Sequence, residues 1–218
     1  MVISPSLYNS DLYLLADNLK RLQQLDITHL HIDVMDSHYV PSVGFSPNFV
    51  VDLKKHTSFI LDCHLMVEKP EDRVTPFIEA GADIVTFHYE ATCQHMFIIH
   101  LLKKHHVKVG IAINPGTPIE SLSMLLPFLD LILVMTVNPG RSGEVFIPMT
   151  LDKIVQLTVA KNQYGYNYTI QVDGNVTDKT ILACINAGAS NIVSGGFIFQ
   201  NNNLEHNMAK LQQAINRV

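Results

Sequence analysis

Four residues, His31, Asp33, His64 and Asp173, have types and spacings that could act together on a metal ion. In the run His29-Leu30-His31-Ile32-Asp33-Val34-Met35-Asp36, an extended backbone places His31, Asp33 and Met35 on one face and Leu30, Ile32 and Val34 on the other. The run Leu61 to Val67 repeats the arrangement, with Asp62, His64 and Met66 sharing a face. Asp173 ends a third such run, Tyr168 to Val172. Two imidazoles and two carboxylates suit one divalent ion such as Zn²⁺, Mn²⁺, Fe²⁺ or Co²⁺, with positions left for a substrate. A lone inward histidine is ordinarily a hydrogen-bonded core residue. Four titratable groups converging in an apolar interior are costly unless they compensate one another, and that favours the metal reading. Cys63 has the opposite parity to His64 and points away from this interior. His88 and Glu90 share parity at the end of another run and are expected to support the site by hydrogen bonding. Met35, Met66 and Met135 either fill gaps in the core or bring polarizable sulfurs to the reacting centre.

Glycines supply a second element. Gly140-Arg141-Ser142-Gly143, Gly174-Asn175 and Gly195-Gly196 each follow an apolar run, the last before a short expected helix. Singly, each is a turn signal. Together, their backbone N–H groups would seat a phosphate, which points to a small phosphorylated substrate.

The elements that must position these residues alternate without a break. A strand is expected from Val2 to Ser6. An amphipathic helix then starts at Ser10-Asp11 and carries Leu12, Leu15, Leu19, Leu22 and Leu25. Strands follow at Leu30–Met35, Phe59–Val67, Asp83–His88, Lys108–Asn114, Leu131–Val137, Tyr168–Val172 and Asn191–Ser194. Pro47 opens a helix that runs to about Lys55, and Pro70-Glu71 opens another. Ala80-Gly81-Ala82 and Ala187-Gly188-Ala189 are helix stops. Helices are expected between all the strands, and a last one spans Leu204 to Val218. Eight strand-helix units with continuously apolar strands predict one α/β domain over residues 1–218, a single (β/α)8 TIM barrel. An open doubly wound sheet is the alternative, but the polar residues gather at the C-terminal ends of many strands, as in a barrel.

Composition narrows the partners. The 218 residues are 47% hydrophobic and 16% charged with a net charge of -5, which is globular and lacks the basic footprint of a nucleic-acid binder. The longest apolar stretch, Leu122 to Val137, is broken by Ser123, Pro127 and Asp130 and is too short for a membrane span. The three cysteines, Cys63, Cys93 and Cys184, form neither a disulfide framework nor a CxxC site, so a reducing, cytoplasmic compartment is expected. No cationic run followed by an apolar one marks the N-terminal residues.

At this level of detail the chain resembles the ribulose-phosphate 3-epimerases over essentially its whole length. The resemblance rests on Ser4-Pro5-Ser6, His31-Ile32-Asp33-Val34-Met35-Asp36, His38-Tyr39-Val40-Pro41, His64-Leu65-Met66-Val67, Asn138-Pro139-Gly140 and Val172-Asp173-Gly174, in that order. It implies that His31, Asp33, His64 and Asp173 bind one divalent ion and that Asp33 and Asp173 are the acid/base pair. It further implies that Ser6 and His64 contact the substrate and that the protein forms a homo-oligomer. Members usually carry Gly at the position of Ser37, Phe-Gly at Arg141-Ser142, Glu at Gln171, a second Gly at Asn175 and often Ser at Gly196. Within the family, Ile3 to Leu7 with Asp11-Leu12, and Ser46-Pro47 with Phe49-Val50, look more like D-allulose-6-phosphate 3-epimerases, which tilts the expected substrate toward the hexulose phosphate over D-ribulose 5-phosphate.

The expected chemistry is inversion at C3 of a phosphorylated ketose through an enediolate, one aspartate removing the proton and the other returning one to the opposite face. Two other readings are a metal-assisted lyase and a non-catalytic sugar-phosphate-binding barrel. The first lacks its base, because His64 stands two residues after Asp62 where related decarboxylases place lysine.

Overall fold

The computed structural model describes residues 1–216, and Arg217 and Val218, the last positions of the expected final helix, lie outside the described residues. The strands are β1 (Val2–Pro5), β2 (His29–Met35), β3 (Ile60–Met66), β4 (Ile84–His88), β5 (Lys108–Ile113), β6 (Leu131–Met135), β7 (Thr169–Asp173) and β8 (Asn191–Ser194). Every ladder is parallel, in the order β1-β8-β7-β6-β5-β4-β3-β2, and a single bridge from Ser6 to His31 brings β1 back to β2. The helices are α1 (Leu15–Gln24), α2 (Pro47–His56), α3 (Val74–Glu79), α4 (His95–Lys104), α5 (Leu151–Tyr164), α6 (Ile181–Ala187), α7 (Gly196–Phe199) and α8 (Leu204–Ile215). The architecture is a (β/α)8 barrel. None of the described helices is long and apolar enough to cross a membrane.

The alternation of each strand decides what faces where. Leu30, Ile32 and Val34 of β2, and Leu61, Cys63 and Leu65 of β3, point outward into the layer beneath the helices and are buried there. Their neighbours point into the barrel, so both faces of these strands are covered, as parallel sheets require. The interior is divided by chemistry. Ala112, Leu131, Leu133 and Met135 of β5 and β6, with Ile84 and Val137, make an apolar half. The other half is polar: the register sets His31 beside Asp62, Asp33 beside His64, His64 beside Thr86, and Gln171 beside Asn191.

Three expected elements differ. The helix expected to open at Pro70-Glu71 begins as a 3₁₀ turn over Pro70–Asp72, and α3 starts only at Val74. The first helix starts at Leu15, because Asp11 accepts the backbone N–H of Tyr13 at 2.9 Å and closes a separate 3₁₀ turn over Leu12–Leu14. Between β5 and β6 there is no α-helix, only 3₁₀ turns at Ile119–Leu122 and Leu126–Phe128. Pro118 and Pro127 each lack an N–H, and the buried Ile119, Leu122, Leu125 and Leu126, Leu129 recur every three residues, the period of a 3₁₀ rather than an α turn.

Gly110 of β5 shows how tightly the polar half is built. A Cβ there would lie 2.1 Å from Oγ1 of Thr86 and 3.0 Å from its Cα. The Thr86 hydroxyl in turn donates to Asp62 at 3.1 Å. Gly110→Ala is therefore expected to destabilise the fold by about 1–3 kcal/mol through overpacking, seen as a lower urea midpoint; a midpoint equal to wild type would contradict this packing.

Candidate active site and metal centre

The ends of β2, β3 and β7 bring the four predicted ligands together. His31 Nε2 lies 3.6 Å from Asp33 Oδ1 and 3.8 Å from Asp173 Oδ2, and His64 Nδ1 lies 3.5 and 3.8 Å from the same two oxygens. The two imidazole nitrogens are 3.2 Å apart, and one donor atom from each of the four residues falls within 4.8 Å of all the others. Donors bonded to a shared ion at 2.0–2.2 Å stand about 3–3.5 Å from one another, so the set needs little contraction to hold one.

The proton positions on the imidazoles agree with that use. His31 Nδ1 lies 3.0 Å from Asp62 Oδ2, and a carboxylate only accepts, so Nδ1 donates and Nε2 is turned to the site. Asp62 is fully buried and also accepts the amide of Gln171 at 2.8 Å and the hydroxyl of Thr86. Burial opposes its ionisation, yet His31 and these donors hold its carboxyl below the usual range. His64 is fully buried as well, with Nε2 at 2.9 Å from Nε2 of His88. The donor set, the convergence and the committed outer nitrogens all fit a divalent ion, and no thiolate is near: Cys63 faces the outer core as its parity predicted.

Asp33 and Asp173 differ in what surrounds them. The Ser6 hydroxyl donates to Asp33 Oδ2 at 2.5 Å, and although burial opposes it, the charge on His31, the neighbouring His64 ring and the bond from Ser6 pull the Asp33 carboxyl down. Asp173 is pushed up to about 7 by burial, with Asp33 and Asp62 adding to the rise against the charge on His31. For His31, burial works against the imidazolium, but Asp62, Asp33 and Asp173 outweigh it and raise the group to about 9. His64 is lowered to about 4, chiefly by burial. Two carboxylates at one site are thus driven apart in acidity, the arrangement that lets one act as base and its partner as acid.

Asp33 and Asp173 open onto a cleft of about 280 Å³ at the C-terminal ends of the strands. Its wall includes Ser6, Gly140, Arg141, Ser142, Gly143, Gly174, Asn175, Gly195 and Gly196, all singled out from the sequence. Met35, Met66 and Met135 are buried and line it too. His64, expected to touch substrate, is not on the wall; it is buried behind Asp33 among His31 and His88. Arg141 is the single basic side chain on the wall among the described residues. The loop after β2 braces the loop after β6: Ser42 donates to the Gly140 carbonyl at 2.6 Å, and at φ +79° a Cβ on Gly140 would sit 2.2 Å from Cβ of Val40. Ser37 (φ +60°) and Asn175 (φ +50°) occupy the left-handed region, a conformation that favours glycine, the residue the family resemblance leads one to expect at both positions. Asparagine tolerates that conformation; at Ser37 the turn is held by Asp36, whose carboxylate accepts the backbone N–H groups of His38, Tyr39 and Glu68.

Parity places Asp62 on the inward face with His64, and the structure adds its partner, His31. Other contributors were missed. Gln171 stands two residues before Asp173, and shared parity was the available signal for it. Tyr8, Asn9 and Gln200 reach the cleft from outside the strands, where no periodicity marks them.

A parallel barrel with an ion-type His/Asp set and a glycine-lined cleft at the C-terminal mouth is the plan of a barrel enzyme for a small polar substrate. The family profile described as the ribulose-phosphate 3 epimerase family matches residues 2–199, and the chain belongs to that family. It is an isomerase, a ketose-phosphate 3-epimerase. It is 42% identical over 197 residues to the ribulose-phosphate 3-epimerase of Treponema pallidum (strain Nichols), covering 90% of each chain. It is 37% identical over 199 residues to that of Bacillus subtilis (strain 168), covering 90% of this chain and 91% of the relative. The chloroplastic ribulose-5-phosphate-3-epimerase of Arabidopsis thaliana is 37% identical over 205 residues, 91% of this chain and 72% of that protein. Among solved structures, 3-keto-L-gulonate-6-phosphate decarboxylase from Vibrio cholerae superposes with a TM-score of 0.70 at 14% identity, over 99% of this chain and 97% of that one, which is a likeness of fold alone.

Because His31 and Asp173 keep protons up to about 9 and about 7, an ion taken up by this set must displace them. Affinity for Co²⁺ is expected to rise with pH through this interval, with roughly one to two protons released per ion near neutral pH. Titration calorimetry in buffers of different ionisation enthalpy reads the number; heats independent of buffer would contradict the ligand assignment.

Proposed function

We propose that the protein is a divalent-metal-dependent 3-epimerase of D-ribulose 5-phosphate, with His31, Asp33, His64 and Asp173 as the ion's ligands and Asp33 and Asp173 as the acid/base pair. The observation that carries this reading is the convergence of two carboxylates of unequal acidity on one cleft, directly beside two imidazoles whose outer nitrogens are already engaged.

The proton at C3 of a ketose is weakly acidic because the adjacent C2 carbonyl accepts charge. A bound divalent ion would supply positive charge against the C2 and C3 oxygens as that charge develops. Asp33 and Asp173 come from β2 and β7, so they reach the cleft from different strands, and one removes the C3 proton while the other delivers a proton to the opposite face. Ser6, by donating to Oδ2 of Asp33, orients that carboxylate and stands within reach of the substrate. The three methionines exclude water from the reacting carbon without offering it a competing base. His64 acts here through the ion, since its burial keeps it from the cleft.

The phosphate belongs at the side of the cleft lined by Gly140 to Gly143, Asn175, Gly195 and Gly196, where Arg141 adds a positive charge. The pentulose is preferred to the hexulose because relatives at 37–42% identity over some 200 residues are named for ribulose phosphate. The short segments that tilted the expectation toward D-allulose 6-phosphate find no support in those comparisons.

Asp173→Asn is expected to lower turnover by at least about 10²–10⁴-fold while leaving the circular dichroism spectrum intact. C3 proton exchange in D₂O, followed by NMR with D-ribulose 5-phosphate and D-allulose 6-phosphate offered separately, reads both activity and specificity. Faster exchange with the hexulose would reverse the substrate assignment, and near-normal exchange by Asp173→Asn would remove that residue from the acid/base pair.

A further inference from the structure

We infer that Glu90, facing His88 across an ion-pair contact, sets the direction of the His88–His64 hydrogen bond and so presents the bare Nδ1 of His64 to the ion site; this rests on the reading of His64 as an ion ligand.

The bond between the two imidazoles does not decide its own direction. His64 Nε2 and His88 Nε2 are 2.9 Å apart in fully buried surroundings, and two neutral imidazoles can place only one proton between them. If His64 donates, its Nδ1 carries a lone pair. If His88 donates, the proton of His64 moves to Nδ1 and blocks that atom as a ligand. The rings are stacked with centroids 5.0 Å apart, and at His64 Nδ1 the neighbours pull in opposite senses: His31 Nε2 at 3.2 Å favours a lone pair there and Asp33 Oδ1 at 3.5 Å favours a proton.

The outer end chooses. Glu90 Oε2 faces His88 Nδ1 at 3.4 Å, an ion-pair distance, and among the described residues that nitrogen has no hydrogen-bond partner, which leaves the carboxylate as the group that decides whether it carries a proton. A carboxylate accepts only, so His88 keeps its proton on Nδ1, accepts at Nε2, and compels His64 to donate from Nε2. Glu90 is itself held. Its Oε1 accepts the backbone N–H of Asn114 at 2.8 Å and the hydroxyl of Thr117, both in the turn after β5. Tyr39 closes the arrangement, with its ring 4.9 Å from that of His88 and its hydroxyl accepting from Asn114 Nδ2 at 2.8 Å. Glu90 is thus a positioning residue, acting on the ion site through two histidines.

These anchors also dictate what the amide isostere would do. In Glu90→Gln the two close donors at the Oε1 position outweigh the single Tyr39 hydroxyl, 3.4 Å from Oε2, and retain the amide oxygen there, which turns the NH₂ toward His88 Nδ1. His88 must then accept at Nδ1 and donate from Nε2, and the proton of His64 shifts to Nδ1, facing Asp33. One atom changes at the rim, and a ligand is lost at the centre.

The test is long-range ¹H–¹⁵N correlation spectroscopy of the histidine rings in the metal-free full chain, wild type and Glu90→Gln, together with titration by Co²⁺ alone. Expected are His64 with Nε2–H and His88 with Nδ1–H in the wild type, the reverse in the variant, and Co²⁺ affinity lowered about 10- to 100-fold, the usual effect of removing an outer partner of a metal-bound histidine. Unchanged tautomers and unchanged affinity in a folded variant would overturn the inference. Should Glu90→Gln not fold, the wild-type spectrum decides alone, since His64 with Nδ1–H is incompatible with the arrangement as drawn. A wild type with the expected tautomers that binds no Co²⁺ would instead refute the metal reading, and the link to the ion with it, so the two failures are told apart.

Discussion

The structure turns on the cost of taking carboxylates and imidazoles out of water. His31, Asp62 and His64 are wholly buried and Asp33 nearly so, in a barrel whose opposite half is hydrocarbon. Isolated, any one of these charges would be neutralised or expelled. They persist because each is another's partner: Asp62 answers His31, the Gln171 amide and Thr86 hydroxyl answer Asp62, and Ser6 answers Asp33. What stays unanswered within the protein is the meeting point of two carboxylate oxygens and two imidazole nitrogens, and an ion of double positive charge is the simplest group that completes it.

That constraint explains the division of the barrel. β5 and β6 contribute Ala112, Leu131, Leu133 and Met135, a dry wall that raises the strength of every charge interaction opposite it. β2, β3, β4 and β7 contribute the polar members, whose register is set by ladders that place Asp33 beside His64 and His31 beside Asp62. The same parallel geometry sends the chain outward at the C-terminal ends, where glycine-rich turns line the cleft. Chemistry at the floor and recognition at the rim follow from one strand direction. The loop after β2 ties the two levels together, since Val40 and Ser42 brace Gly140 while Tyr39 packs on His88.

Parity along a strand is a strong local signal, and it made much of the site legible. His31 with Asp33, and Asp62 with His64, are two residues apart, so any strand containing them must aim both members inward. Glycine pairs after apolar runs likewise marked the cleft wall. The β5–β6 connection was misread because prolines and a three-residue apolar spacing leave burial unchanged while altering the pitch, and the pitch depends on what the segment packs against. Tyr8, Asn9 and Gln200 were invisible for a related reason: they reach the cleft through turns whose course is decided by contacts far away in the chain.

The amino-acid order by itself determined which residues can face inward, where strands end, and hence the ring of eight units and the four candidate ligands, because these depend on backbone periodicity and on neighbours a few residues away. It did not determine which polar groups meet. That Asp62 turns to His31 rather than to the ion site, that His88 reaches His64, and that Glu90 is pinned by the turn after β5 depend on register between strands and on the closing of the barrel. These are long-range distances, and proton placement in a buried site is settled by such distances, which only the tertiary structure supplies.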